Sequence, residues 1–72
     1  MDIYYTNETL YVNLNGRINN EVINNMQKKV FGILDDYEIY NLELRVDNYE
    51  KNIFSDFISS YKNKYNGDLK IK

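Results

Sequence analysis

From Leu10 to Ile71 the apolar residues fall into stretches that alternate between a two-residue and a 3.6-residue period. Leu10, Val12 and Leu14 alternate with Thr9, Tyr11 and Asn13, the mark of a half-buried strand. Ile3–Tyr5 reads as a short strand before it, hairpinned through Thr6-Asn7-Glu8, where Asn tolerates left-handed geometry. Asn15-Gly16 closes the second strand. Val22, Ile23, Met26, Val30, Ile33, Leu34 and Tyr37 then recur on one face of a helix, with Asn24, Asn25, Lys28 and Lys29 mostly on the other. Asn19 or Asn20 can cap that helix, and Glu21 suits its dipole. Leu42, Leu44 and Val46 alternate with Glu43 and Arg45, a third strand (Tyr40–Val46 at its widest) with one wet face, broken by Asp47-Asn48. A second helix is expected from Asn52 as cap, burying Ile53, Phe54, Phe57, Ile58, Tyr61 and Tyr65, with Gly67 as a left-handed stop. Leu69 and Ile71 make a last short strand.

The order β-β-α-β-α-β, with right-handed crossovers between parallel strands, implies an α/β fold. We expect one domain over residues 1–72: a mixed four-stranded sheet with two helices on one face. The other face then carries Tyr11, Asn13, Glu43, Arg45 and Lys70, polar but tyrosine-bearing.

That order resembles a STAS domain, the fold of bacterial anti-sigma-factor antagonists. The residues that carry the likeness run from Thr9 onward. Leu10-Tyr11-Val12-Asn13-Leu14-Asn15-Gly16-Arg17-Ile18-Asn19 is similar to the family's strand followed by G-x-[LI]-[DN]. Met26-Gln27-Lys28-Lys29-Val30 matches its first amphipathic helix, Leu42–Asp47 its central strand, and Tyr65–Ile71 its glycine turn into the fourth strand. The resemblance implies a regulatory module that binds a protein partner of the anti-sigma type in the cytoplasm. Two features depart from the family. Its D-S-S-G-like phosphorylation segment is replaced by Asn48-Tyr49-Glu50-Lys51-Asn52-Ile53-Phe54-Ser55, with Ser55 expected inside the first helical turn, and its C-terminal helices have no counterpart. A minimal, degenerate STAS-like domain without a phospho-serine switch is the resulting expectation.

Composition narrows the chemistry further. The chain has no His, Cys, Trp or Pro, so disulfides and the usual zinc ligands are out of reach. Eight Tyr and three Phe supply much of the apolar area, each ring worth about 150–250 Å² when buried. A net charge of −2 with mixed signs offers no basic stripe for nucleic acid. Met1-Asp2-Ile3-Tyr4-Tyr5 lacks the basic and apolar regions of a signal peptide, and no apolar run approaches the ~20 residues of a membrane span. No nucleophile, base and orienting group fall together, so neither catalysis nor a cofactor or metal is expected.

Two surface groups remain. Arg17 and Asn19 lie beyond the second strand, and Tyr49, Glu50, Lys51 and Asn52 lie beyond the third. In an open α/β sheet, ligands dock at the carboxyl edge, so these six form a candidate partner-binding patch. Capping and turn chemistry with solvated charges explains the same residues. Asp35, Asp36 and Glu38 oppose the dipole of the first helix and read as a solvated acidic loop, a basic-partner site or an oxygen-ligand cation site. Tyr37, Tyr61 and Tyr65 are expected to be buried, whereas Tyr4, Tyr11, Tyr40 and Tyr49 are free for an interface. With a core of this size worth only about 3–5 kcal/mol and two short sheet edges, a homodimer or an obligate partner is expected. Alternatives to the regulatory reading are a structural assembly domain and a small inhibitor from a mobile element.

Overall fold

In the computed structural model, which describes residues 1–47 and 51–72 (Lys51 by its backbone only), the strands stand in sequential order across one mixed sheet. The strands are β1 (Asp2–Thr6), β2 (Thr9–Leu14), β3 (Asn41–Val46) and β4 (Leu69–Ile71). β1 runs antiparallel to β2, while β2, β3 and β4 are mutually parallel. Helix α1 (Asn20–Tyr37) joins β2 to β3; a 3-10 turn over Lys51–Phe54 and helix α2 (Ser55–Lys64) lead from β3 to β4.

Alternation sets which side is dry. Leu10, Val12 and Leu14 of β2 and Leu42 and Leu44 of β3 are buried, each pointing to the face that the helices cover. Ile23, Met26, Val30 and Leu34 of α1 and Phe57 and Tyr61 of α2, with Phe54 and Tyr65 at its ends, close the same core. The rings of Phe31, Phe57, Tyr61 and Tyr65 interleave between the helices at centroid distances of 5.1–5.6 Å, so both helices lie on one face.

The connections rest on specific chemistry. Asn7 and Glu8 both have positive φ (51° and 62°), the requirement of a two-residue hairpin whose twist matches its strands. Asn19 caps α1 by accepting a 2.9 Å hydrogen bond from the Val22 N–H. At the far end Glu38 adopts the left-handed conformation (φ 53°), and the N–H groups of Glu38 and Ile39 both donate to the Leu34 carbonyl. Asn41 ties three segments together: its amide donates to the Glu8 carbonyl and its Oδ1 accepts from the Asp68 N–H.

Several sequence expectations are corrected. Asn52 does not cap α2. The chain enters that helix through the 3-10 turn, the residue before the helix offers no side-chain cap, and Asn52 instead accepts the Ser55 hydroxyl on its backbone carbonyl. Gly67 is not a left-handed stop: α2 ends with Tyr65 in extended geometry, and Gly67 is absent from the positive-φ residues. Its role is close approach, since a Cβ there would sit 2.1 Å from the Tyr40 carbonyl oxygen. Tyr37, expected in the core, is 70% exposed because the buried stripe of α1 ends at Leu34, one turn before the helix does. Glu43, assigned to a wet face, is only 6% exposed.

Candidate functional site: the open sheet face and the carboxyl edge

On the uncovered face, strand register lays side chains out in three rows. Thr6, Thr9 and Asn41 form the first; Tyr4, Tyr11, Glu43 and Lys70 the second; Asp2, Asn13 and Arg45 the third. Cross-strand and diagonal neighbours on one face are within reach of each other, so this order dictates the contacts. Tyr4 and Tyr11 stack with centroids 5.1 Å apart and planes 11° from parallel. The Arg45 guanidinium lies 5.0 Å from the centroid of the Tyr11 ring and donates a 3.2 Å hydrogen bond to the Tyr4 hydroxyl.

Arg45 also donates to Glu43 at 2.7 Å, and Lys72 approaches the other carboxylate oxygen at 3.6 Å. This explains how a carboxylate can be buried here: both oxygens have cationic partners. The Arg45 hydrogen bond holds the Glu43 carboxyl below the usual carboxylate range and raises the guanidinium in return. Asn13 Oδ1 lies buried in the row beside them and accepts no hydrogen bond within the described residues. A polar hollow of about 90 Å³ opens next to Tyr11, Asn41, Glu43 and Lys70. It is far below the ~300–1,000 Å³ of a cofactor pocket, so what this face offers is a platform for contact.

The six residues expected at the carboxyl edge are only partly accounted for. Leu14 and Val46 are register partners, so the segments after β2 and β3 leave from adjacent strand ends as anticipated. Arg17 and Asn52 are exposed there. Asn19 is also exposed, but its side chain is committed to capping α1. Tyr49 and Glu50 lie outside the described residues, as does the side chain of Lys51. Ser55 opens α2 and is exposed, its hydroxyl donating 2.9 Å to the Asn52 carbonyl.

The acidic run at the end of α1 divides. Asp35 is exposed, as expected, but also paired: it accepts from Lys64 at 2.9 Å and from the Tyr65 hydroxyl at 2.7 Å, tying α1 to α2. The Lys64 contact, then the Tyr65 one, hold its carboxyl below the usual range, while burial and then the Asp35 contact push the Tyr65 hydroxyl up. Glu38 serves as the left-handed cap. Among the described residues no group of three or more His, Cys, Asp or Glu is placed to hold a metal ion.

Sequence reasoning named Tyr4 and Tyr11 as free for an interface and put Arg45 on this face, but missed the stacking of the two rings and Arg45 as their organiser. The signal was present in the alternation: once Tyr4 pairs with Tyr11, and Tyr11 with Glu43, Arg45 must sit diagonal to Tyr11. No protein-family model matches the chain, and no curated protein or solved structure matches it. Among the described residues no helix is long and apolar enough to cross a membrane.

Proposed function

We propose that this domain is a non-enzymatic, STAS-like protein-interaction module that binds a protein partner through its open sheet face. The observation that carries the reading is the Tyr4–Tyr11–Arg45 group. Two stacked rings and a guanidinium, held in place by Glu43, form a rigid surface of the residue types that dominate interface energetics. Rigidity matters because little side-chain freedom is then lost on binding. The exposed Arg17 and Asn52 extend the surface toward the carboxyl edge, where Tyr49, Glu50 and Lys51 follow in sequence. The element order β-β-α-β-α-β supports the STAS-like reading, and with it a regulatory role in the cytoplasm with an anti-sigma-type partner. The reading includes no serine switch, because the Ser55 hydroxyl is engaged with the Asn52 carbonyl and no Asp-Ser or Ser-Gly pair surrounds it.

The test begins by isolating a partner from the source cells with the full chain as bait, then measuring its affinity for purified variants. Tyr11→Ser should weaken binding at least tenfold, about 1.4 kcal/mol, while Lys28→Glu on the outer face of α1 should leave it unchanged. Equal binding by wild type and Tyr11→Ser would overturn the assignment. Incubation with serine kinases from the same cells should leave Ser55 unlabelled; stoichiometric labelling there would restore the switch. A second reading, assembly with copies of itself, is favoured by the unguarded edge of β1.

A further inference from the structure

The two edges of the sheet differ in kind. β4 is three residues long and carries Lys70, with Lys72 just beyond it, the charged guard that keeps an edge from pairing. β1 is five residues long, pairs with β2 through five uninterrupted register partners, and contains no Lys, Arg or Pro. It therefore has no bulge and no basic guard. Its free backbone groups follow from the hairpin. Thr6 and Thr9 flank a two-residue turn and form its hydrogen-bonded pair, so Asp2, Tyr4 and Thr6 face β2. The N–H and C=O of Ile3 and Tyr5 then point outward.

We propose that β1 pairs antiparallel with β1 of a second copy about a two-fold axis at Tyr4, joining two sheets into one of eight strands. This goes beyond the partner-binding reading and does not depend on it. In this register Ile3 and Tyr5 of one copy face Tyr5 and Ile3 of the other, and their outward groups complete four hydrogen bonds. Tyr4 meets Tyr4 of the second copy in the closer, non-hydrogen-bonded position, which continues the Tyr4–Tyr11 stack across the axis.

Charge fits as well: Asp2 lies opposite Thr6 of the second copy, so no acidic side chain directly faces another. Met1, with the same parity as Ile3 and Tyr5, falls on the helix side opposite Asn7 of the second copy, toward that copy's hollow of about 360 Å³, which Tyr5, Tyr37 and Tyr40 help to line. Among the described residues the large apolar side chains that remain exposed are Met1, Tyr4, Tyr5, Tyr37 and Tyr40, and this one contact draws directly on the three in or beside β1: Met1, Tyr4 and Tyr5. The interface is isologous and closes at two chains.

The test is light scattering and sedimentation of the full chain over a hundredfold concentration range. The mass should rise from one chain toward twice 8.7 kDa and stop there. Tyr4→Lys and Tyr4→Glu, each folded by circular dichroism, should each remain single chains because like charges meet at the axis; mixed together, they should recover the dimer. If either loses its fold, Tyr5→Pro replaces it, since that proline removes only an outward N–H, and it should be a folded monomer. A wild type that stays monomeric or grows past two chains would overturn the proposal, as would a Lys/Glu mixture that fails to associate or a Tyr5→Pro dimer. Tyr5→Pro, which leaves Tyr4, Tyr11 and Arg45 in place, should lose the dimer and keep its partner affinity, which separates this contact from the partner surface.

Discussion

Backbone conformation, rather than side-chain chemistry, sets the role of several single residues. Glu8 and Glu38 occupy left-handed positions (φ 62° and 53°) where a Cβ costs about 1–2 kcal/mol and Gly or Asn is usual. Glu8→Gly and Glu38→Gly should each raise unfolding stability by about 0.5–1 kcal/mol in urea titration, the relief being partly offset by the freer unfolded chain. A loss of stability would show that these glutamate side chains make contacts of greater worth. Gly67 is the opposite case. Gly67→Ala should cost about 1–3 kcal/mol or more, because the added Cβ meets backbone that cannot yield as a flexible side chain would. That glycine was visible in the sequence but its reason was not: Asn66-Gly67 has the composition of a turn, and only the fold brings Tyr40 against it. Tyr61→Phe should cost about 1–2 kcal/mol, since the Tyr61 hydroxyl donates to the Tyr40 carbonyl, with the Asp68 carbonyl 3.3 Å away.

Elements were legible where one period dominated. β2, β3 and α1 follow from their apolar spacing, and the cap of α1 from Asn19, because each is a local matter of pleat, stripe or orphan N–H. The entry to α2 was not legible. Asn52 has the composition of a cap, yet a 3-10 turn shifts the α-helical start to Ser55 and turns the Asn52 carbonyl into an acceptor. Nor could the sequence reveal that Asp35 belongs to a tie between helices, since its partners Lys64 and Tyr65 are 29 and 30 positions away.

That tie sets a pH dependence. Asp35 and Glu43 have lowered folded pKa values, so their contribution is present above the unfolded value of about 4 and is lost as pH falls through the lowered ones. Tyr61 and Tyr65 are raised, each chiefly by burial, so theirs is present below about pH 10 and is lost as pH rises through the raised values. Urea midpoints should form a plateau from about pH 5 to 9 and fall on both sides, and Asp35→Asn should flatten the acid limb. An acid limb unchanged in Asp35→Asn would remove the helix tie from the account.

At the scale of the whole molecule the fold is one-sided: helices and core on one face of the sheet, a charged aromatic platform on the other. One-sidedness was legible, because two right-handed crossovers in the same direction place both helices together. The candidate site was less so. Sequence reasoning looked to the carboxyl edge, where Arg17 and Asn52 are exposed and the Asn19 side chain caps α1. The open face was read as polar but tyrosine-bearing without its inner contacts, because the burial of Glu43 and the stacking of Tyr4 on Tyr11 depend on cross-strand register.

The most direct test of that face is site-specific photo-cross-linking in the source cells, with benzoylphenylalanine at Tyr11 and, separately, at Lys28. A single protein adduct is expected from position 11 and none from position 28. Adducts of equal yield from both positions, or from position 28 alone, would contradict it.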